Sequence, residues 1–414
     1  MRRTQLVFSV PLGIVFLTRL LVACGGATTP AQPIVVLGDG GSSGDGSDDG
    51  PGIVVTQCSA DEAMCNGSCV DLTSDSHHCG TCGTVCGTNS SCTNGTCSAQ
   101  EVPDAGTMGL PPDPGGPAPT SMATTNLAIS KLYYGDTDRS GNPGMNAWQS
   151  YGLNIDGKDT TASSTHVCTL VAGSSKQVQV DGPGGIDNSF GENIVPILST
   201  LNASFSAQGN ASLTGGDSTS VFSITGLGGP GSTFSPVPGT MSRLAPAATP
   251  PQWQGNDLRN PDVNALMLSF SSGYENGGVW VGSPPGSFAF DLHIGATGSP
   301  TLPMQVIAAT LQPSSSLGSA TQGNLAAVVT ANAFINWLQQ IAGAITTSLC
   351  SGSAFQSIAQ QIQQTSDIVM DAQGNVSNSA GTTCNAISVG LGFDAVAVQL
   401  GTPVAVTTPM NPCP

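Results

Sequence analysis

The chain has 414 residues and a formal net charge of −17, from nine Lys and Arg against 26 Asp and Glu. Phosphate backbones repel such a chain and no basic run offsets it, so a nucleic-acid partner is excluded. Charged residues are only 8% of the total, against 54 glycines. Gly, Ser, Thr, Asn and Gln therefore supply the polar surface, as in a loop-rich exterior around a β-rich core.

Arg2 and Arg3 give a basic start, and Leu6 to Leu17 is an apolar run too short to span a bilayer stably. The run closes on Leu21-Val22-Ala23-Cys24. Those four residues resemble the lipobox of bacterial lipoproteins, although Arg19 departs from the pattern by placing a charge inside the apolar run. The resemblance implies a signal peptide over 1–23 and a Cys24 that carries acyl chains such as palmitate. Gly25 in place of Asp implies, by the same resemblance, the outer membrane. An ordinary signal peptide cleaved nearby is the other reading. No later apolar stretch of spanning length is free of polar residues, so the lipid is the expected membrane contact.

Residues 24–57 read as an acidic Gly/Ser-rich tether. The stretch Gly38 to Gly50 has no aromatic residue and cannot bury a core.

Residues 58–97 hold eight cysteines: Cys58, Cys65, Cys69, Cys79, Cys82, Cys86, Cys92 and Cys97. With so few apolar residues the segment cannot fold by burial alone, and four disulfides are the expected staples. Zinc is the rival reading, since Cys79-x2-Cys82 beside His77 and His78 has ligand-like spacing. An exported chain with an even count favours disulfides, whose connectivity stays open. Cys69-Val70-Asp71-Leu72 followed by His78-Cys79-Gly80-Thr81-Cys82-Gly83-Thr84-Val85-Cys86 resembles the cysteine-rich modules of secreted lipoproteins of multicellular gliding bacteria. That resemblance implies a disulfide-rich module and no particular activity.

Residues 98–124 carry six prolines from Pro103 to Pro119 and read as a semi-rigid linker. Residues 125–414 are the body. Short β-prone runs recur at Val178–Val180, Ser220–Thr225, Leu266–Phe270, Gly278–Val281, Ser287–Ile294 and Met304–Leu311, separated by Gly, Pro and Asn. The expected fold is mainly β, a sandwich or jelly-roll-like body with an inserted helical hairpin near 324–371. One helical stripe runs through Leu325, Val329, Phe334, Leu338, Ile341, Ile345 and Leu349. A second runs through Phe355, Ile358, Ala359, Ile362 and Val369, with Ser353 as its cap. Strand character returns over Ile387 to Leu400. The segment Asp181 to Asn193 loosely resembles a stretch of uncharacterised exported proteins of the same bacteria, which implies a shared domain and no substrate.

The body's cysteines, Cys168, Cys350, Cys384 and Cys413, are expected to form two disulfides. Of three pairings, loop length favours Cys350–Cys384 with Cys168–Cys413.

Acidic turns are the candidate chemistry. Asp136-Thr137-Asp138-Arg139-Ser140-Gly141-Asn142 begins like an EF-hand loop but has Ala147 at the twelfth position, which excludes that motif. With Asp156, Asp181 and Asp187, the residues Asp136, Asp138 and Asn142 could assemble a calcium site of another kind. Plain turn chemistry is the alternative.

Hydrolase signals are poor. Gly40-Gly41-Ser42-Ser43-Gly44 fits a nucleophile elbow in letters but sits in the tether. A triad would need His166 or His293, and His293 reads as a structural histidine. Asp257, Asp262 and Glu275 are unpaired candidates for glycosidase carboxylates. Trp148, Trp253, Trp280 and Trp337, with Tyr133, Tyr134, Tyr151 and Tyr274, could form a sugar platform, but core burial is the better reading for each. No catalytic residue is assigned. The expectation is a non-catalytic, surface-anchored lipoprotein with a binding or structural role toward a glycan or an envelope protein. The alternative is a tethered hydrolase acting on polysaccharide.

Overall fold

A computed structural model of the chain describes residues 58, 62–65, 68–75, 77–86, 90–99, 108–283, 285–293, 300–345, 349, 350, 352–407 and 413. The signal peptide, Cys24 and the tether lie outside the described residues. Two compact units are present, Met1–Asp71 and Leu72–Pro414.

In the first unit, β1 (Glu62–Cys65) and β2 (Ser68–Asp71) pair antiparallel, and a Cys58–Cys69 disulfide closes the ribbon. The second unit opens with β3 (Ser90–Thr93) and β4 (Thr96–Ala99). Asn94 and Gly95 join them at φ of +50° and +73°, the left-handed pair that a tight hairpin requires. Disulfides Cys79–Cys92 and Cys86–Cys97 staple this ribbon. Cys65 and Cys82 are also in disulfides, so all eight module cysteines are oxidised. The thiolates that a zinc site needs are therefore consumed, and the module folds by covalent staples.

The body is mainly β with few helices. Its strands are β5 (Thr124–Tyr133), β6 (Thr219–Thr225), β7 (Gly239–Leu244), β8 (Asp257–Arg259), β9 (Leu268–Phe270), β10 (Tyr274–Asn276), β11 (Val279–Gly282), β12 (Gly286–Phe290), β13 (Leu302–Pro313), β14 (Ser319–Thr330), β15 (Val369–Met370), β16 (Val376–Ser377) and β17 (Ala386–Leu400). Eleven of them form one sheet with the path β10-β11-β13-β14-β17-β5-β6-β7-β9, while β12 adds to β13 and β8 to β17. The sheet curls until its ends meet. Trp280 of β11 packs edge-on to Phe270 of β9 at 5.6 Å and to Phe222 of β6 at 5.9 Å.

The long central strands are buried on both faces, because alternate positions serve different neighbours. Ile387, Val389, Leu391, Phe393 and Ala395 of β17 fill the main core. Ser388, Gly390 and Gly392 point the other way. A Cβ on Gly390 would stand 2.4 Å from the Tyr151 carbonyl, so a residue with no side chain lets the 147–189 segment lie directly on the strand.

Two helices, α1 (Val195–Leu201) and α2 (Phe205–Gly215), follow a π turn at Phe190–Ile194 and carry no regular apolar stripe. The hairpin pair α3 (Ala331–Ile345) and α4 (Ser353–Gln363) packs Phe334, Trp337, Leu338, Ile341, Phe355 and Ile362 into the same core. Leu325 and Val329, read above as helical, belong to β14. A spacing of four satisfies the helix repeat and the strand parity together, so the two residues fit either element. The change of structure falls at Thr330, whose hydroxyl accepts the Ala333 N–H. Ser353 is not the cap of α4, since Gly352 precedes the helix with φ of +96° and no side-chain cap bond forms. Val178–Val180 is not a strand. Lys176–Gln179 is a 3₁₀ turn started by the Ser175 side chain, which accepts the Gln177 N–H.

Residues 108–123 are not a free spacer. The Pro111 carbonyl accepts the Tyr274 hydroxyl at 2.5 Å, Pro112 accepts the Asn276 side chain at 2.8 Å, and Pro117 accepts the Ser235 N–H at 2.9 Å. Proline lacks a donor but keeps its acceptor, and the body uses three of them. The body disulfides are Cys168–Cys384 and Cys350–Cys413, which overturns the pairing favoured by loop length. An isolated backbone bridge between Thr169 and Thr383 lies beside the first bond. No helix among the described residues is long and apolar enough to cross a membrane.

Candidate metal centre

Three of the six acidic-turn residues converge. Oxygens of Asp156, Asp181 and Asp187 all lie within 4.8 Å of one another. Backbone geometry brings them together. The Leu153–Asp187 and Gly182–Ile186 bridges fold the 181–187 turn back on the 154–158 turn. Gly185 sits at φ of +78°, and a Cβ there would fall 2.2 Å from the Lys158 carbonyl and 2.3 Å from Asn154 Nδ2. Any larger residue separates the turns. The Asp-Gly and Gly-Gly pairs are thus turn residues, and their turns aim the carboxylates.

Backbone and amide donors occupy part of each carboxylate. Asp156 Oδ1 accepts the Lys158 N–H at 2.8 Å, and its Oδ2 accepts Asn378 Nδ2 at 2.6 Å. Asp187 Oδ2 accepts the Ile155 N–H at 2.7 Å. Asp181 Oδ2 accepts the Thr160 N–H at 2.5 Å. The Thr160 hydroxyl is buried beside the Asp181 carboxylate without the geometry of a hydrogen bond to it, and it has no other partner. A fourth carboxylate, Asp367, stands behind and accepts the Ser388 N–H at 2.9 Å and the Ser388 hydroxyl at 2.5 Å. Ser189 bridges the two sides: its N–H donates to the Ser388 hydroxyl oxygen, and its hydroxyl donates to the Thr365 carbonyl.

The electrostatics are unbalanced. Lys158 is the cation that acts on this cluster, and its charge lowers Asp156 without overcoming the burial. Its ammonium donates to the carbonyls of His166 and of Asn378. Burial pushes Asp181 up to about 9 against the Thr160 amide, and the neighbouring Asp156 and Asp367 charges add to it. Burial, then Asp156, Asp181 and Asp367, push Asp187 well above the usual carboxylate range. Burial lifts Asp367 to about 7 despite its Ser388 bonds. Asp156 is raised by burial as well. Buried like charges are costly unless protonated or joined by a cation. A hard cation that takes oxygen ligands fits the donor set, and calcium accepts carboxylates, hydroxyls and waters in flexible geometry.

A pH dependence follows. With chelator, these acids bind more protons folded than unfolded, because their folded values lie above the unfolded value of about 4. Their contribution to stability is fully present below about pH 4 and is lost as the pH rises through about 7 for Asp367 and about 9 for Asp181. Thermal melts from pH 5 to 9 should show this fall in chelator and a much flatter profile in calcium. A melt that stays flat in chelator would contradict it.

The other three candidates stay apart. Asp138 Oδ1 accepts the N–H groups of Ser140 and Asn142, and its Oδ2 accepts Asn142 Nδ2. Asp371 does the same with Gln373 and Asn375, which marks the pattern as a self-closed turn. Asp136 lines a groove of about 410 Å³ together with Met145, Gly191, Glu192, Val195 and Ser199. Burial pushes Glu192 up to about 7.

The hydrolase candidates have structural employment. His293 is buried with Nε2 at 2.9 Å from the Ser218 carbonyl. Asp262 pairs with Arg243, and Glu275 is wholly buried with Oε2 on the Gly228 N–H. Trp148, Trp280 and Trp337 and all four tyrosines are buried, and Trp253 packs partly buried against Leu244 and Val398. No sugar platform is left among them. Asp367, Thr160 and Asn378 were missed in the sequence reading. Only a 3D neighbourhood links residues so far apart in the chain.

Comparison with known proteins gives one finding. A family model described as the Stigma-specific STIG1-like protein family matches residues 46–100, the cysteine module. No curated protein and no solved structure is matched.

Proposed function

We propose that this chain is a non-catalytic bacterial outer-membrane lipoprotein, held by lipid on Cys24, whose rigid β body has a binding or structural role toward a glycan or another envelope protein. Calcium is the body's resident cation, held by Asp156, Asp181 and Asp187. The observation that carries this reading is the convergence of these three carboxylates in a body closed by two disulfides. The two disulfides suit an oxidising compartment outside the cytoplasm. The short apolar run ending in Leu21-Val22-Ala23-Cys24 supports the anchor.

Calorimetry on the full-length Cys24→Ser chain tests the cation. Calcium should bind with measurable heat, and Asp187→Asn should abolish it. At a hundredfold excess over Kd the bound ion adds about 2.7 kcal/mol to stability. Absence of heat in the parent would refute the site. Metabolic labelling with palmitate tests the anchor: the native chain should carry label in the membrane fraction, and Cys24→Ser should not. Label that persists in the variant would remove Cys24 as the anchor.

The second reading, a tethered polysaccharide hydrolase, has one observation in its favour. Asp136 and Glu192 share a groove, and a carboxyl raised to about 7 is suited to donate a proton. Product release from a polysaccharide, abolished by Glu192→Gln, would establish it in place of the first.

A further inference from the structure

The cation site and the Cys168–Cys384 disulfide share one polar network. Asn378 joins them directly. Its Oδ1 accepts the Cys168 N–H at 2.7 Å, its Nδ2 donates to Asp156 at 2.6 Å, and its carbonyl accepts Lys158 Nζ at 2.6 Å. Gln179, two residues before Asp181, donates to the Cys168 carbonyl at 2.8 Å and lies within 3.5 Å of both sulfurs. Cys168 Sγ lies 3.2 Å from the carbonyl of Asp367, the fourth acid. Both cysteines are buried, at 2% and 1% exposure. A reductant reaches a buried disulfide through local opening, so its rate reports that opening. Opening here must separate the 154–187 turns, which carry three of the acids, from the 367–384 segment, which carries the other acid and Asn378.

We propose that cation occupancy at Asp156, Asp181 and Asp187 gates the Cys168–Cys384 disulfide: bound calcium holds the two segments closed, and its loss exposes the bond to reduction. This rests on the calcium reading above. By linkage the effect is reciprocal, so reduction of the bond lowers the affinity for calcium. The device makes the body respond to two properties of its surroundings, divalent cation and redox state, through one joint.

The test uses the full-length chain and tris(2-carboxyethyl)phosphine, in calcium or in chelator. The phosphine gives two electrons to the disulfide and takes oxygen from water, leaving a phosphine oxide and the Cys168 and Cys384 thiols. Alkylation and peptide mass mapping follow each bond separately. Cys168–Cys384 should reduce on the order of tenfold more slowly in calcium, within the usual coupling range. Cys350–Cys413 in the same molecule is the internal control and should not change with calcium. Gln179→Ala, at a residue whose side chain donates to the Cys168 carbonyl, should keep the calorimetric heat but weaken the protection. Equal rates with and without calcium, in protein that does bind calcium, would overturn the gate and leave the site standing. Absence of binding heat would overturn both.

Discussion

Replacing Cys168 and Cys384 by alanine should lower the unfolding free energy by about 5 kcal/mol, the largest single loss expected in the molecule. The bond spans 216 residues, so its removal frees a very long loop in the unfolded chain. It also sits where the fold has little regular structure. Between Tyr133 and Thr219 no strand runs, and only turns, bridges and the α1–α2 pair order the chain. That stretch carries the three candidate cation ligands, and Cys168–Cys384 is its covalent tie to the segment before β17. The Cys350–Cys413 bond spans 63 residues, and its alanine variant should lose about 4 kcal/mol by the same loop-closure argument. Urea unfolding of the two variants separates the effects. The first should also bind calcium more weakly, whereas the second should bind it as the parent does. Equal losses below about 2 kcal/mol in both variants would show that loop closure is not what these bonds contribute.

Arg243→Ala should cost about 4 kcal/mol, because it leaves two buried carboxylates without their charge partner. Arg243 stands on β7 with its guanidinium 12% exposed. Nε and Nη2 donate to Asp291 at 2.8–3.0 Å, Nη1 donates to Asp262 at 2.8 Å, and Nη2 also reaches the Ser218 hydroxyl at 2.9 Å. Burial works against the arginine's charge, yet the two carboxylates hold its pKa above the ordinary value. Arg243→Lys should recover only part of the loss, since a single ammonium cannot serve both carboxylates in the fork geometry. A triple variant that also carries Asp262→Asn and Asp291→Asn identifies the cause: with both charges removed, much of the deficit should be recovered in urea unfolding. A deficit that stays the same in the triple variant would assign the loss to packing.

Much of the architecture was legible from residue patterns. The cysteine module is recognisable because a segment so poor in apolar residues needs staples, whatever its neighbours. The β-prone runs Met304–Leu311 and Ile387–Leu400 mark strands because they are short on charge and rich in apolar residues, whereas the run Ser287–Ile294 is strand only to Phe290, where β12 ends. The α3–α4 hairpin shows in its stripes because one face of each helix must be apolar. Legibility ended where two repeats coincide, as at Leu325 and Val329. It also ended where a side chain chooses the local turn, as Ser175 does for Lys176–Gln179. The helices α1 and α2 were invisible because their sequence lacks a regular apolar face; they are held by the core that Phe205, Leu198 and Leu213 enter.

The candidate site divides along the same line. Residue types and local backbone needs are written in sequence. Asp-Gly and Gly-Gly turns, oxidised cysteines, the apolar start ending at Cys24 and the acidic balance all belong to that class, because each depends on a few adjacent residues or on composition. Which turns meet was decided only by the tertiary structure. Asp138 and Asp156 look alike in the chain, yet the first closes on its own backbone and the second faces Asp181 and Asp187. The difference lies in Gly185 and in the small residues of β17, which let distant backbone approach within contact. The Cys168–Cys384 pair was decided in the same way: the isolated Thr169–Thr383 bridge sets Cys384 beside Cys168 across 216 residues of chain.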